Sequence, residues 1–174
     1  MKKRLIILSD LWGREKSNWL SNYTPILEEK LDLVVYDNCE LGEIERSNYT
    51  QDHLHQQFIT GRIDKAVTKL IALEKEKINI LAFSIGGTIA WKFGFRGGKI
   101  TPLISISSTR LRKESKPKGK IHLFFGKHDA YKPTIEWLES MNLEYKILLD
   151  KEHQIYSEPE FARQLSKQII KMTL

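Results

Sequence analysis

Cys39 is the only cysteine among the 174 residues. No internal disulfide can form, which excludes a cross-linked secreted scaffold, and Cys39 itself reads as a small apolar side chain. Long apolar runs are missing too: nothing approaches the ~20 residues that a membrane-spanning helix requires. Met1-Lys2-Lys3-Arg4 precedes Leu5-Ile6-Ile7-Leu8 in the charge order of a secretory leader. That apolar run falls short of the ~7–15 residues of such a segment, and Ser9-Asp10 ends it without a cleavage-like site. A cytoplasmic setting is expected.

Cofactor signatures are equally scarce. No dinucleotide fingerprint follows the first apolar run. Arg96-Gly97-Gly98-Lys99 superficially resembles a phosphate loop, but Phe93 stands where the first glycine belongs and a helical pattern precedes it. His53-x-His55 lacks a third ligand nearby and falls on an expected surface segment, so no metal is assigned. No cofactor is expected. The excess of 28 Lys+Arg over 22 Asp+Glu gives a formal charge of +6, yet there is no zinc spacing, RNA-recognition signature or basic helix, so nucleic acid is not an expected partner. Arg110, Arg112, Lys113, Lys116, Lys118 and Lys120 hold much of that excess against Glu114 alone. They read first as a solvated loop.

What the chain does have is 41% hydrophobic residues in short, regularly spaced runs. The length suits one domain over residues 1–174. The runs are Arg4–Ser9, Asp32–Asp37, Ile78–Phe83, Ile100–Ser105, Lys120–Phe125 and Glu144–Leu149. Continuous rather than alternating hydrophobicity marks strands buried on both faces, as in a parallel sheet. Helical patterns lie between them, at Ser17–Lys30 with a capping-type Ser-Asn start, and at Ile63, Ala66, Val67, Leu70 and Ile71. Others cover Gly86–Phe93, Thr134–Met141 and a last helix marked by Phe161, Leu165, Ile169 and Met172, with Pro159 near its first turn. Such alternation predicts an α/β domain. Two connections are long: Asn38–Thr60, with a short helix expected in Tyr49–Phe58, and the basic Thr109–Gly119.

Ligands of an open parallel sheet gather at the carboxyl ends of its strands. The third run leads into Ala82-Phe83-Ser84-Ile85-Gly86-Gly87, which places a serine between small residues at a strand-to-helix junction. That spacing suits a sharp turn that lifts a serine hydroxyl above the sheet, where bulky neighbours two residues away would clash. The fifth run leads into Gly126-Lys127-His128-Asp129, and the sixth into Asp150-Lys151-Glu152-His153. Ser84, Asp129 and His153 therefore follow separate strands at one edge, in the chain order expected of a serine on such an elbow. His128 is a rival base and Asp150 a rival acid.

These motifs resemble the α/β-hydrolase superfamily over nearly the whole chain. Ser84 to Ala90 is similar to its elbow and helix, with Ala82 at a position usually held by glycine; Phe125 to Asp129 resembles the acid loop and His153 the terminal histidine. Leu5 to Leu11 resembles the first core strand and oxyanion loop, with Ser9-Asp10 where the family often has His-Gly. Asp37 to Gly42 falls where the family often has an Asp-x-Pro-Gly-x-Gly turn, without that proline and first glycine. The resemblance implies a three-layer sandwich of about six mainly parallel strands in the order 2-1-3-4-5-6, with helices on both faces. It also implies a serine hydrolase whose backbone amides at Ile85 and Leu11 form the oxyanion hole.

Serine needs a base within hydrogen-bond reach to act as a nucleophile. His153 supplies the base in this scheme, and Asp129 orients its imidazole. Trp12 and Phe83 are the expected substrate-binding residues, and the expected partner is a small-molecule acyl ester or thioester. An amidase or C–C hydrolase with the same residues is an alternative, as is a binding module with a silent triad. Ser107–Gly119 is too short for a helical cap, so an open site is expected, and its basic loop favours anionic substrates.

Overall fold

The computed structural model describes residues 2–174. Six strands form one sheet: β1 (Lys3–Leu8), β2 (Leu31–Tyr36), β3 (Ile78–Phe83), β4 (Ile100–Ile106), β5 (Ile121–Gly126) and β6 (Glu144–Leu148). Every pairing is parallel and the order is β2-β1-β3-β4-β5-β6. Strands β3 and β5 are buried along their whole length, which explains their unbroken hydrophobicity.

Successive side chains on a strand face opposite ways, and the apolar core divides accordingly. Leu5, Ile7, Leu81 and Phe83 belong to the cluster packed against α1 (Thr24–Glu28) and α7 (Pro159–Thr173). Ile6, Leu8, Ile80 and Ala82 belong to the other. That second face is covered by α2 (Asn38–Gly42), α3 (Gln51–Gln57), α4 (Ile63–Leu73), α5 (Ile85–Phe95) and α6 (Ile135–Ser140). No helix among the described residues is long and apolar enough to cross a membrane.

The continuous helix expected over Ser17–Lys30 is instead a 3-10 turn at Asn18–Asn22 followed by the short α1. Pro25 explains the break. Its ring would clash with the carbonyl of Ser21 in a continued helix, and it lacks an amide to donate; it is accommodated in the first turn of α1. Ser17 makes no side-chain cap and donates its hydroxyl to the Gly13 carbonyl. Thr134, by contrast, caps α6 by accepting from the Trp137 amide.

The basic segment also departs from expectation. It contains a 3-10 turn at Leu111–Lys113 and is tied to α5. Thr88 Oγ1 donates to the Thr109 carbonyl at 2.6 Å and Trp91 Nε1 to the Ser115 carbonyl at 2.8 Å, while Lys92 Nζ reaches Glu114 Oε2 at 3.1 Å. Leu111 and Pro117 are buried. Its backbone is anchored, while Arg112, Lys113, Lys116, Lys118 and Lys120 are solvent-exposed as expected.

Candidate active site

Ser84 links β3 to α5 with φ 50° and ψ −121°, a conformation that L residues rarely adopt. Three hydrogen bonds hold it. Its amide donates to the Ile106 carbonyl at 2.9 Å, and its carbonyl accepts from the amides of Gly87 at 3.0 Å and Thr109 at 3.4 Å. The glycines that follow permit the approach. A Cβ on Gly86 would strike the carbonyl oxygens of Leu8 and Ser9, and one on Gly87 the hydroxyls of Ser105 and Ser108.

Gly126 does the same for the other two loops, because a Cβ there would collide with the carbonyls of Lys151 and Glu152. The β5 loop and the β6 loop then join through Lys127 N to Leu148 O at 2.8 Å and His128 N to Lys151 O at 2.9 Å. This contact sets Asp129 beside His153. The Asp129 carboxylate lies 3.0 and 3.1 Å from His153 Nδ1, and accepts the Tyr131 amide at 2.9 Å. On the far side of the ring, His153 Nε2 is 3.0 Å from Ser84 Oγ. The Asp129 side chain is fully buried, whereas that of His153 is 21% exposed to the cleft. The aspartate is therefore shielded from water while the imidazole keeps an open edge on the cleft.

The rivals are elsewhere. His128 faces Asp150 at 3.9 Å, and both are exposed. Phe83 is corrected as a substrate-binding residue: it is fully buried, packed against Trp19, Tyr23 and Tyr156 on the α1/α7 side. As the residue before Ser84 on a strand, it points through the sheet and not into the cleft. Trp12 does line the cleft, edge-on to Tyr49 at 5.6 Å. The Lys16 ammonium stands 4.3 Å from the Trp12 ring.

Ile85 opens α5, so its amide has no acceptor within the helix. Leu11 lies beside it on the cleft. Around Leu11, the Asp10 carboxylate takes the Trp12 amide at 3.0 Å and the Asp10 carbonyl takes the Gly13 amide at 3.3 Å. The loop is clamped by fully buried Asn38, the first residue of α2, whose side chain donates to the carbonyls of Ser9 and Asp10. Asp37 closes the same corner by capping α2 and accepting from the Arg14 amide at 3.0 Å. Cys39 Sγ contacts the Leu11 carbonyl at 3.4 Å, and burial pushes its thiol up to about 12.

Residues that the sequence did not single out complete the cleft. Asp10 is 97% buried and accepts from the Tyr156 hydroxyl at 3.2 Å. Desolvation raises it to about 6 in spite of the Trp12 amide, the Tyr156 hydroxyl and the nearby His153. Tyr131 and Tyr156 set their rings edge-on to His153 at 5.0 and 6.1 Å. Tyr156 follows His153 by three residues in the 3-10 turn His153–Ser157, where such positions eclipse. The cleft is about 350 Å³, bounded by Gln51, Asp52 and His55 of α3 and by Arg110, Arg112 and Lys113. His53 has no such place; its Nε2 lies 3.5 Å from Glu45.

A scan of protein-family models and a search of curated proteins give no match to this chain. Solved structures do match. A carboxylesterase from Nitrososphaera gargenis is 14% identical with a TM-score of 0.68, over 99% of this chain and 91% of that one. Carboxylesterase CesB from Bacillus subtilis is 12% identical with a TM-score of 0.67, over 97% and 84%. An alpha-beta serine hydrolase homologue from Coxiella burnetii is 15% identical with a TM-score of 0.65, over 98% and 86%. The chain has the α/β-hydrolase fold, with the strand order 2-1-3-4-5-6.

Proposed function

We propose that this α/β-hydrolase-fold chain is a serine hydrolase that cleaves an ester or thioester through an acyl-enzyme on Ser84. The observation that carries it is the unbroken line from Ser84 Oγ to His153 Nε2 at 3.0 Å and from His153 Nδ1 to Asp129 at 3.0 Å. His153 takes the Ser84 proton as the hydroxyl attacks the carbonyl carbon, and the carbonyl π pair moves onto oxygen. Asp129 fixes the tautomer that leaves Nε2 free to accept and stabilises the imidazolium that forms. The amides of Ile85 and Leu11 donate to the new oxyanion; such a donor is typically worth ~3–4 kcal/mol of barrier. Collapse of the intermediate breaks the bond to the leaving group, which receives the proton from His153. A water activated by His153 then releases the acid and regenerates Ser84.

Substrate size follows from the walls. A cleft of about 350 Å³, bounded by α3, the 111–113 turn, Trp12 and Tyr131, suits modest acyl groups rather than long buried tails. The test is a panel of nitrophenyl esters, aryl thioesters and nitroanilides assayed at neutral pH. Esters and thioesters turn over, anilides are far slower, and Ser84→Ala removes the activity. Turnover that survives Ser84→Ala overturns the proposal, and anilides cleaved as fast as esters make the protein an amidase.

A further inference from the structure

We propose that the substrate carries a carboxylate or phosphate group, bound in the Ser84 cleft by the cationic wall of Arg110, Arg112 and Lys113. This builds on the serine-hydrolase assignment and names the substrate class of the same site.

Three cations from one short turn line a cleft of about 350 Å³, and the acidic residue of their own segment is engaged elsewhere. Glu114, the one acidic residue of the segment, is bound to Lys92 Nζ at 3.1 Å, and Lys92 also meets Asp64 at 3.1 Å. Among the described residues, none of the three cations forms an ion pair. Across the cleft stand Asp52 and Asp10, with Asp10 already occupied by the Trp12 amide and the Tyr156 hydroxyl. The balance on the cleft surface is positive.

Arg110 carries the second observation. Its Nε is buried without a hydrogen-bond partner, and so is the hydroxyl of neighbouring Thr109. Both residues line the cleft beside Ser84. Those two atoms are enclosed; what Arg110 offers the cleft is its terminal guanidinium nitrogens, which are not enclosed and have no hydrogen-bond or ion-pair partner among the described residues. Arg110 also holds φ 61° and ψ 4°, left-handed backbone that a non-glycine residue adopts only when its surroundings impose it. The Thr88, Trp91 and Lys92 contacts hold the chain on either side of it, at Thr109, Ser115 and Glu114. The Arg110 backbone thus sits between anchored neighbours, and its planar guanidinium donors match a carboxylate or phosphate edge. His55 faces the same charges: burial lowers its pKa first, Arg110 and Lys113 lower it further, and Asp52 opposes them. Lys116 takes no part, since its ammonium is bound to the carbonyls of Met141 and Asn142.

The test compares matched esters: an aryl hemisuccinate, with its carboxylate on the acyl side, against its neutral methyl ester, and an acyloxyphenyl phosphate, with the anion on the leaving group, against the neutral acyloxybenzene. At least one anionic ester should exceed its neutral partner in kcat/KM by about tenfold, the scale of one charge-assisted hydrogen bond. That ratio should fall toward one in Arg110→Gln and in Arg112→Gln, and shrink in high salt. It should not change in Lys118→Gln, an exposed residue outside the cleft. Both ester pairs, titrated calorimetrically into Ser84→Ala protein, should each show in Kd the order they show in kcat/KM, without any turnover. Absence of turnover with preserved anion-selective binding would overturn the hydrolase assignment and leave the anion site standing. Turnover and binding that ignore the charge in both pairs, or an undiminished ratio in both arginine variants, would overturn the anion site.

Discussion

Asp129→Asn should fold normally and lose about 10⁴-fold in turnover, as expected when the acid of such a triad becomes an amide. The geometry gives the reason. Asp129 Oδ1 accepts the Tyr131 amide at 2.9 Å, and an asparagine oxygen can keep that bond. Its NH2 group then faces His153 Nδ1, where a carboxylate oxygen now lies at 3.0 Å. Nδ1 must become the acceptor, so the proton moves to Nε2. That nitrogen, 3.0 Å from Ser84 Oγ, can no longer take the serine proton. Circular dichroism and steady-state ester kinetics on the variant check both halves. Turnover within tenfold of the parent would remove Asp129 from the reaction.

Asp10→Asn should act on stability, with an effect that depends on pH. The folded carboxyl sits at about 6, above its ordinary 3.8, because burial disfavours the charge. The folded state therefore binds the extra proton between these values, and stability falls as pH rises through that window. Above pH ~7 the ionised Asp10 costs up to about 3 kcal/mol. A neutral asparagine escapes that cost, while its oxygen can still accept the Trp12 amide and the Tyr156 hydroxyl can turn to accept from its nitrogen. Urea unfolding should find the variant more stable by up to that amount at pH 8, with the gain fading toward pH 4. A difference that stays constant from pH 4 to 8 would show that Asp10 is ionised without penalty.

Much of the fold is legible along the chain because a parallel sheet buries its strands on both faces. Ile78–Phe83 needs no partner to be recognised, and its bounds coincide with β3. Local rules fail where a single residue outranks a pattern, as Pro25 does in the first helical stretch. Phe83 shows a subtler failure. Proximity to Ser84 in sequence suggests the cleft, but the two-residue alternation of a strand sends its ring to the opposite core.

The candidate triad is legible for a mechanical reason: each member follows a hydrophobic run that ends at the same edge of the sheet. What surrounds it depends on contacts between distant segments. Asp10 and Tyr156 are 146 residues apart yet share a hydrogen bond, and neither carries a local signature. The basic side chains are solvated as the sequence suggests, but the anchoring of their segment is not legible locally because Trp91 and Lys92 lie on a helix some twenty residues earlier. Asn38 is another such case, since it clamps the loop after β1 from the start of α2.

The most direct measurement is intact-mass spectrometry after incubation with a fluorophosphonate, which reacts only with a serine that a neighbouring base has activated. The parent protein should gain the mass of one phosphonyl group, mapped to the peptide containing Ser84, while Ser84→Ala and His153→Ala should gain none. An unmodified parent protein, or equal labelling of Ser84→Ala, would contradict an activated serine at the end of β3.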